Sequence, residues 1–170
     1  GQHAAGNMSD EELDELERHA CPGASACGGQ FTANTMACVS EMIGLALPFS
    51  AGAPAPNEER DDYATASGKA VVELIRRNLR PRDIVTLDAL HNAAAIVGAT
   101  GGSTNAALHL PAMAHEAGIR FTLQDVAEIM RRTPHIADLK PGGKYVAADV
   151  HRIGGVPVIQ RTTIGPAGPS

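Results

Sequence analysis

The sequence predicts an α/β fold rich in helices, on three observations. Apolar residues recur at helical spacing over most of the chain, between recognisable cap and stop residues. Three short stretches depart from that spacing and read as strands: 119–121, 135–139 and 156–159, the last an edge strand because Pro157 interrupts it. The apolar content of 44% suffices for 170 residues to fill the core of one ordinary domain.

In order, Ser9 with Glu12 forms a capping box and Leu13 and Leu16 supply one apolar edge, which predicts a short helix over 9–19. Thr32 and Asn34 are both good N-cap residues. The next helix starts at one of them and runs to about 47, with Met36, Val39, Ile43 and Leu47 at helical spacing until Pro48 stops it. A Pro/Ala/Gly connector covers 49–57. A long helix follows over 58–79, with Val71, Leu74, Ile75 and Leu79 on one face and Pro81 at its end. After Thr86 a helix runs through Leu90, Ala93, Ala94 and Val97 toward Gly98, and its small residues suit a tightly packed layer. Another spans 105–116, interrupted by Pro111, with Gly118 as C-cap. Thr122 with Asp125 opens the helix 123–131, ended by Pro134, and a last short helix over 149–153 is closed by Gly154 and Gly155.

The formal charge of −5, with both signs mixed along the chain, leaves no basic face for nucleic acid or an anionic membrane, so neither is expected as a partner. No apolar run approaches the ~20 residues that span a bilayer, and no export signal opens the chain, which reads as cytoplasmic. The three cysteines are an odd count, better suited to thiols or ligands than to disulfides. The chain opens without Met, as if cut from a longer one. Its last residues, 161–170, lose the apolar pattern and read as a divergent tail or linker.

The stretch with the most chemistry is ACPGASACGGQFTANTMA, 20–37. Cys27 precedes Gly28 and Gly29, which carry no side chain to crowd a bulky ligand, and a helix start follows. The positive end of that helix stabilises an anion or thiolate, the form of cysteine that binds metal or attacks. An inert buried cysteine is the competing reading. Cys21, Cys27 and Cys38 also match none of the paired zinc patterns or common ferredoxin spacings, so a cluster here needs ligands from elsewhere. Cys38, inside an amphipathic helix, reads as packing.

A second candidate is Gly101, Gly102, Ser103, Thr104 and Asn105, whose glycines and helix start offer free backbone N–H groups to an anion, or else form an ordinary turn. The seven histidines include no pair at i, i+4 spacing. His91, His109 and His115 read as surface or hydrogen-bonded core residues, and Lys140 and Lys144 as solvated.

Three stretches in one order carry a resemblance: CPGASACGGQFTANTMA, then GATGGSTNAALHLPAMAHEAGI, then PHIADLKPGGKYVAADVHRIGGVPVI. They resemble the dihydroxy-acid and phosphogluconate dehydratase family over about 5–160, with later motifs closer in wording to the dihydroxy-acid enzymes. The resemblance implies an interior portion of a longer protein, helix-rich and incomplete within a layered α/β/α domain. Residues 1–160 are then part of the N-terminal cluster-binding domain. It implies a hydro-lyase that converts a 2,3-dihydroxy carboxylate to a 2-keto acid in branched-chain amino-acid biosynthesis, homo-oligomeric when full length.

The poor C3 leaving group calls for a Lewis-acidic iron, supplied in the family by an iron-sulfur cluster, here expected as two-iron two-sulfur. Mg2+ holds the substrate carboxylate. Of the three cluster cysteines, Cys27 matches one. Gly102, Ser103 and Thr104 are candidates for substrate contact. The other ligands and the catalytic serine are expected outside this chain, so no catalytic residue is assigned within it and the chain alone is expected to be inactive. Gln30 stands where the family usually has Met. Two alternatives stay open: a sugar-acid dehydratase of the same family, and a non-catalytic helical module whose cysteines bind zinc or nothing.

Overall fold

The computed structural model describes residues 1–21, 23 and 27–164. The layout follows from one helix, α5 (Leu87–Thr100), whose sequence is apolar or small on nearly every side. Leu90, Ala93, Ala94, Ile96, Val97, Ala99 and Thr100 are all buried. Such a helix needs neighbours all round. They are α2 (Thr32–Ile43), α6 (Ala106–Ala117), α7 (Leu123–Arg132) and α9 (Val156–Ile164), each of which contacts it. Val39 and Ile43 from α2, Leu110 and Ala114 from α6, Val126 and Ile129 from α7, and Val156 and Ile159 from α9 complete the core. A fully buried Leu or Ile in such a core contributes about 2 kcal/mol by removal from water.

Helix starts with local signals form where the sequence puts them. Ser9 and Glu12 make a reciprocal capping box on α1 (Asp10–His19). Thr122 and Asp125 do the same on α7, and the Thr86 side chain accepts from the Ala89 N–H at the head of α5. Several expected ends move. α2 stops at Ile43, because Gly44 takes the left-handed conformation (φ 91°) and its N–H closes on the Glu41 carbonyl before Pro48 is reached. α5 runs past Gly98 to a similar cap at Gly101. Pro81 opens the single turn α4 (Pro81–Ile84), since the first helical position needs no N–H donor. α6 continues through Pro111.

The three expected strands are corrected: among the described residues the architecture is helical, with no strand. Residues 119–121 are a link between the left-handed cap at Gly118 and the Thr122 cap, with Phe121 buried against the ring of His91. In 135–139 the N–H groups of Ile136 and Ala137 both donate to the Ala99 carbonyl (2.9 Å each), so this backbone finishes the C-terminus of α5. One isolated bridge joins Leu139 to Tyr145. Residues 156–159 open α9, where Pro157 stands at the second position and loses no intrahelical bond, while Val156 and Ile159 fall on one buried face. The expected boundary at 160 therefore falls inside a helix. The expected helix over 149–153 begins earlier, as α8 (Ala147–Arg152).

The long helix α3 (Glu59–Arg76) has no buried residue. Its first turn is tied down by Arg60, which donates to the Ala53 carbonyl (2.8 Å), and by Glu59, 2.7 Å from His151 Nε2 on α8. Toward its other end Val71, Val72 and Ile75 are exposed.

Candidate functional site

The cysteine loop is built from its backbone inward. Gly28 and Gly29 are buried, and the chain through them is held from two sides. On one side the Gly28 carbonyl accepts from the Ala147 N–H (3.1 Å) and the Gln30 N–H donates to the Lys140 carbonyl (2.7 Å). On the other, the Asn34 carboxamide donates to the Cys27 carbonyl and to the Gly29 carbonyl (2.6 Å). A Cβ on Gly29 would stand 2.9 Å from the Lys140 carbonyl oxygen, which is why glycine is needed for this approach. Cys27 itself is half-buried.

Asn34 was expected as a possible N-cap, but that position belongs to Phe31, with no side-chain cap bond. Asn34 lies buried in the first turn of α2 and reaches back over the loop. Asn34→Ala should therefore cost about 2 kcal/mol, because two loop carbonyls lose their donor. Asn34→Asp should cost more, because a carboxylate has no N–H to give. Chemical denaturation of the full-length variants reads both.

The glycine turn meets the same helical turn from the other direction. The Ser103 N–H donates to Thr35 Oγ1 (2.9 Å), Ser103 Oγ lies 3.0 Å from Thr32 Oγ1, and Asn105 Nδ2 donates to Thr32 Oγ1 (2.8 Å). Two motifs about 70 residues apart thus converge on Thr32, Asn34 and Thr35, three polar residues of one turn. The free N–H groups expected in this glycine turn are largely engaged. Gly101 N–H donates to Gly98, Gly102 N–H to Val97 (2.9 Å), and Asn105 N–H to Ser103 Oγ (3.2 Å). Gly102 is held to glycine by packing, since an added Cβ would lie 3.0–3.1 Å from Thr35 and Val97 side-chain atoms. Ser103 is half-buried and Thr104 exposed.

Gln30 completes the site from below. It is buried, and its Nε2 donates to Thr100 Oγ1 (3.1 Å) and reaches Cys38 Sγ (3.6 Å). Burial pushes the Cys38 thiol up to about 11, with the nearby Glu41 carboxylate adding to the rise against the Gln30 hydrogen bond, so at neutral pH it stays a protonated packing group. Thr100 Oγ1 also donates to the Ile96 carbonyl (2.7 Å) and keeps a partner without Gln30. Gln30→Met should therefore change stability by less than about 1 kcal/mol. Gln30→Glu, which buries a charge without a counter-ion, should be clearly destabilising in the same denaturation measurement.

The other sequence candidates stay apart. Cys21 is exposed and its thiol donates to the Gly23 carbonyl (3.4 Å). His109 and His115 are exposed, and Lys144 lies over the Tyr145 ring. Among the described residues no group of three or more His, Cys, Asp or Glu could hold a metal ion. Pro22 and residues 24–26 of the cysteine motif lie outside the described residues. Sequence reasoning missed Thr35, Thr100 and the Lys140 carbonyl. The only signal for the first two was a polar residue at a helical position otherwise reserved for the core.

Comparison with known proteins matches residues 1–165 to the family described as dihydroxy-acid/6-phosphogluconate dehydratase N-terminal. Similar proteins include the dihydroxy-acid dehydratases of Parvibaculum lavamentivorans, 68% identical over 96% of this chain, and Dinoroseobacter shibae, 70% identical over 95%. Dihydroxy-acid dehydratase 1 of Nocardia farcinica is 55% identical over 96%. The chain spans 28% of the length of the first two relatives and 29% of the third. With residues 1–165 of this chain matched and the cysteine and glycine motifs joined at one helical turn, this chain belongs to the dihydroxy-acid/6-phosphogluconate dehydratase family, within its N-terminal region.

Proposed function

We propose that the full-length protein is a hydro-lyase that removes water from a 2,3-dihydroxy carboxylate to give a 2-keto acid, in branched-chain amino-acid biosynthesis. The observation that carries this is the 64–70% identity to proteins named dihydroxy-acid dehydratase, over 95–96% of this chain. The helices described here form one part of a layered α/β/α domain in that protein. Residues 1–160, with the rest of α9, belong to its cluster-binding domain, and the residues after α9 lead out of it. The protein is cytoplasmic and homo-oligomeric. No helix among the described residues is long and apolar enough to cross a membrane.

The donor set suits a shared cluster. Cys27 offers one soft thiolate, on a loop whose Cys27, Gly28 and Gly29 carbonyls and Gln30 N–H are paired with protein, and no second thiol joins it in a ligand group among the described residues. Cys27 would thus be one ligand of an iron-sulfur cluster, two-iron two-sulfur in this reading, completed by residues outside this chain, as are the ligands of Mg2+. When bound, the cluster supplies Lewis acidity toward the leaving hydroxyl. What this chain does is hold position. Asn34, Lys140 and Ala147 fix the Cys27 loop, while Thr32 and Thr35 fix the glycine turn beside it. Since the turn's N–H groups are mostly spent on the protein, and the Ser103 hydroxyl is held by Thr32 and the Asn105 N–H, contact with the substrate carboxylate falls first to the exposed Thr104 hydroxyl. Without the remaining ligands the chain alone is inactive.

Assay of the anaerobically purified full-length protein on 2,3-dihydroxy-3-methylbutanoate, gluconate and phosphogluconate tests the reading. Turnover of the dihydroxy acid well above the sugar acids is expected. Preference for a sugar acid would move the protein to the other branch of its family, and absence of iron would remove the mechanism.

A further inference from the structure

We propose that the backbone N–H groups of Gly28 and Gly29 donate hydrogen bonds to sulfur of the cluster that Cys27 helps to hold, so that this loop tunes the cluster's electron density as well as anchoring it. The proposal rests on the cluster reading of Cys27 given above. It adds a role for two residues that carry no side chain. The loop is paired with protein through one kind of group. Three successive carbonyls, of Cys27, Gly28 and Gly29, all accept: the first and third from the Asn34 carboxamide, the second from the Ala147 N–H. The N–H groups of Gly28 and Gly29 have no partner among the described residues, although both residues are buried. A buried N–H is costly to leave without an acceptor, and such orphans are rare. Two in succession, beside a half-buried thiol, point to an acceptor that this chain does not itself supply.

The direction of these donors follows from the peptide plane. In a trans peptide the C=O and the N–H point opposite ways, and both peptides of this loop are trans. The Cys27 carbonyl is turned to Asn34 on α2, so the Gly28 N–H is turned away from Asn34. The Gly28 carbonyl is turned to Ala147 at the head of α8, so the Gly29 N–H is turned away from α8. The oxygens, which would repel sulfide or thiolate, are thus drawn into the protein, and the donors are left over. Successive backbone N–H groups suit an anionic acceptor. Of the anions in the dehydratase reading, cluster sulfur is the one held at the neighbouring residue, Cys27. A hydrogen bond to sulfur withdraws electron density from it, which favours the reduced cluster and leaves iron the stronger acceptor for an oxygen ligand.

The test uses the full-length protein, purified anaerobically and reduced, with pulsed EPR reading the nuclei coupled to the cluster. Labelling with 15N-glycine should convert peptide 14N couplings to 15N, and exchange into D2O should add deuteron couplings. In the labelled protein, Gly28→Ala should return one of these couplings to 14N, because alanine keeps the N–H but brings an unlabelled nitrogen. Gly28→Pro, which removes the N–H, should lose one deuteron coupling and lower the reduction potential while the iron content is kept. If Gly28→Pro does not fold, the isotope measurements on the unsubstituted protein and on Gly28→Ala still decide. Couplings indifferent to glycine labelling, or left wholly at 15N by Gly28→Ala, would overturn the proposal and leave Cys27 as a ligand. A protein without iron would overturn the proposal together with the reading it rests on.

Discussion

Cys27→Ser in the full-length protein should abolish both the visible absorbance of the cluster and dehydratase activity, while Cys21→Ser and Cys38→Ala retain both. Serine is close in size to cysteine, so the loop held by Asn34, Lys140 and Ala147 should keep its course. What changes is the donor, from a soft thiolate to a hydroxyl that is a poor ligand for iron. The other two thiols differ from Cys27 in ways that predict their indifference. Cys21 is exposed, with its thiol turned to a neighbouring carbonyl, and Cys38 is a protonated packing group beside Gln30. Iron and sulfide analysis of the three purified variants, with activity measured beside it, decides the matter. Bleaching by Cys21→Ser or Cys38→Ala, with Cys27→Ser still coloured, would reverse the ligand assignment.

Gly102→Val should destabilise the protein by about 3 kcal/mol, because the new side chain enters space already filled by Thr35 and Val97. The strain falls on a turn whose partners also hold the first turn of α2, so the cysteine loop should loosen with it and the cluster should become more labile. The loss is one of folding, visible as a lower melting temperature and faster loss of colour in air. Substrate contact is read better from Thr104→Val, whose exposed side chain supports no packing. It should raise KM about tenfold with the melting temperature unchanged, as expected for one lost hydrogen bond to a carboxylate. An unchanged KM would leave the turn a structural joint only.

The features readable from sequence were those settled within about four residues. The Ser9–Glu12 and Thr122–Asp125 boxes start helices because donor and acceptor lie on adjacent turns of the same segment. The run from Leu90 to Val97, small or apolar but for His91 and Asn92, announces a largely buried helix for a similar reason: its own composition leaves little polar face. The motifs around Cys27 and Gly102 could also be singled out, and their order along the chain pointed to the family.

What needed the tertiary structure was the destination of each backbone and side-chain polar group. Residues 135–139 look like a strand until Ala99 is seen to take their N–H groups, and 156–159 look like one until Val156 and Ile159 are seen buried on one side of a helix. The glycine turn promises free donors until Val97 and Thr35 claim them. Asn34 passes for a cap until its carboxamide is found over the Cys27 loop. Each of these depends on a partner many residues distant or on a burial pattern set by the whole core. A hydrogen bond's worth lies in whether the group would otherwise be buried unpaired, which the local sequence does not contain. The sequence by itself determined most of the helices and the family, and singled out Cys27 and the glycine turn as candidates for chemistry. Only the packing around α5 brought Thr32, Asn34 and Thr35 to a single turn, where the two motifs are held together.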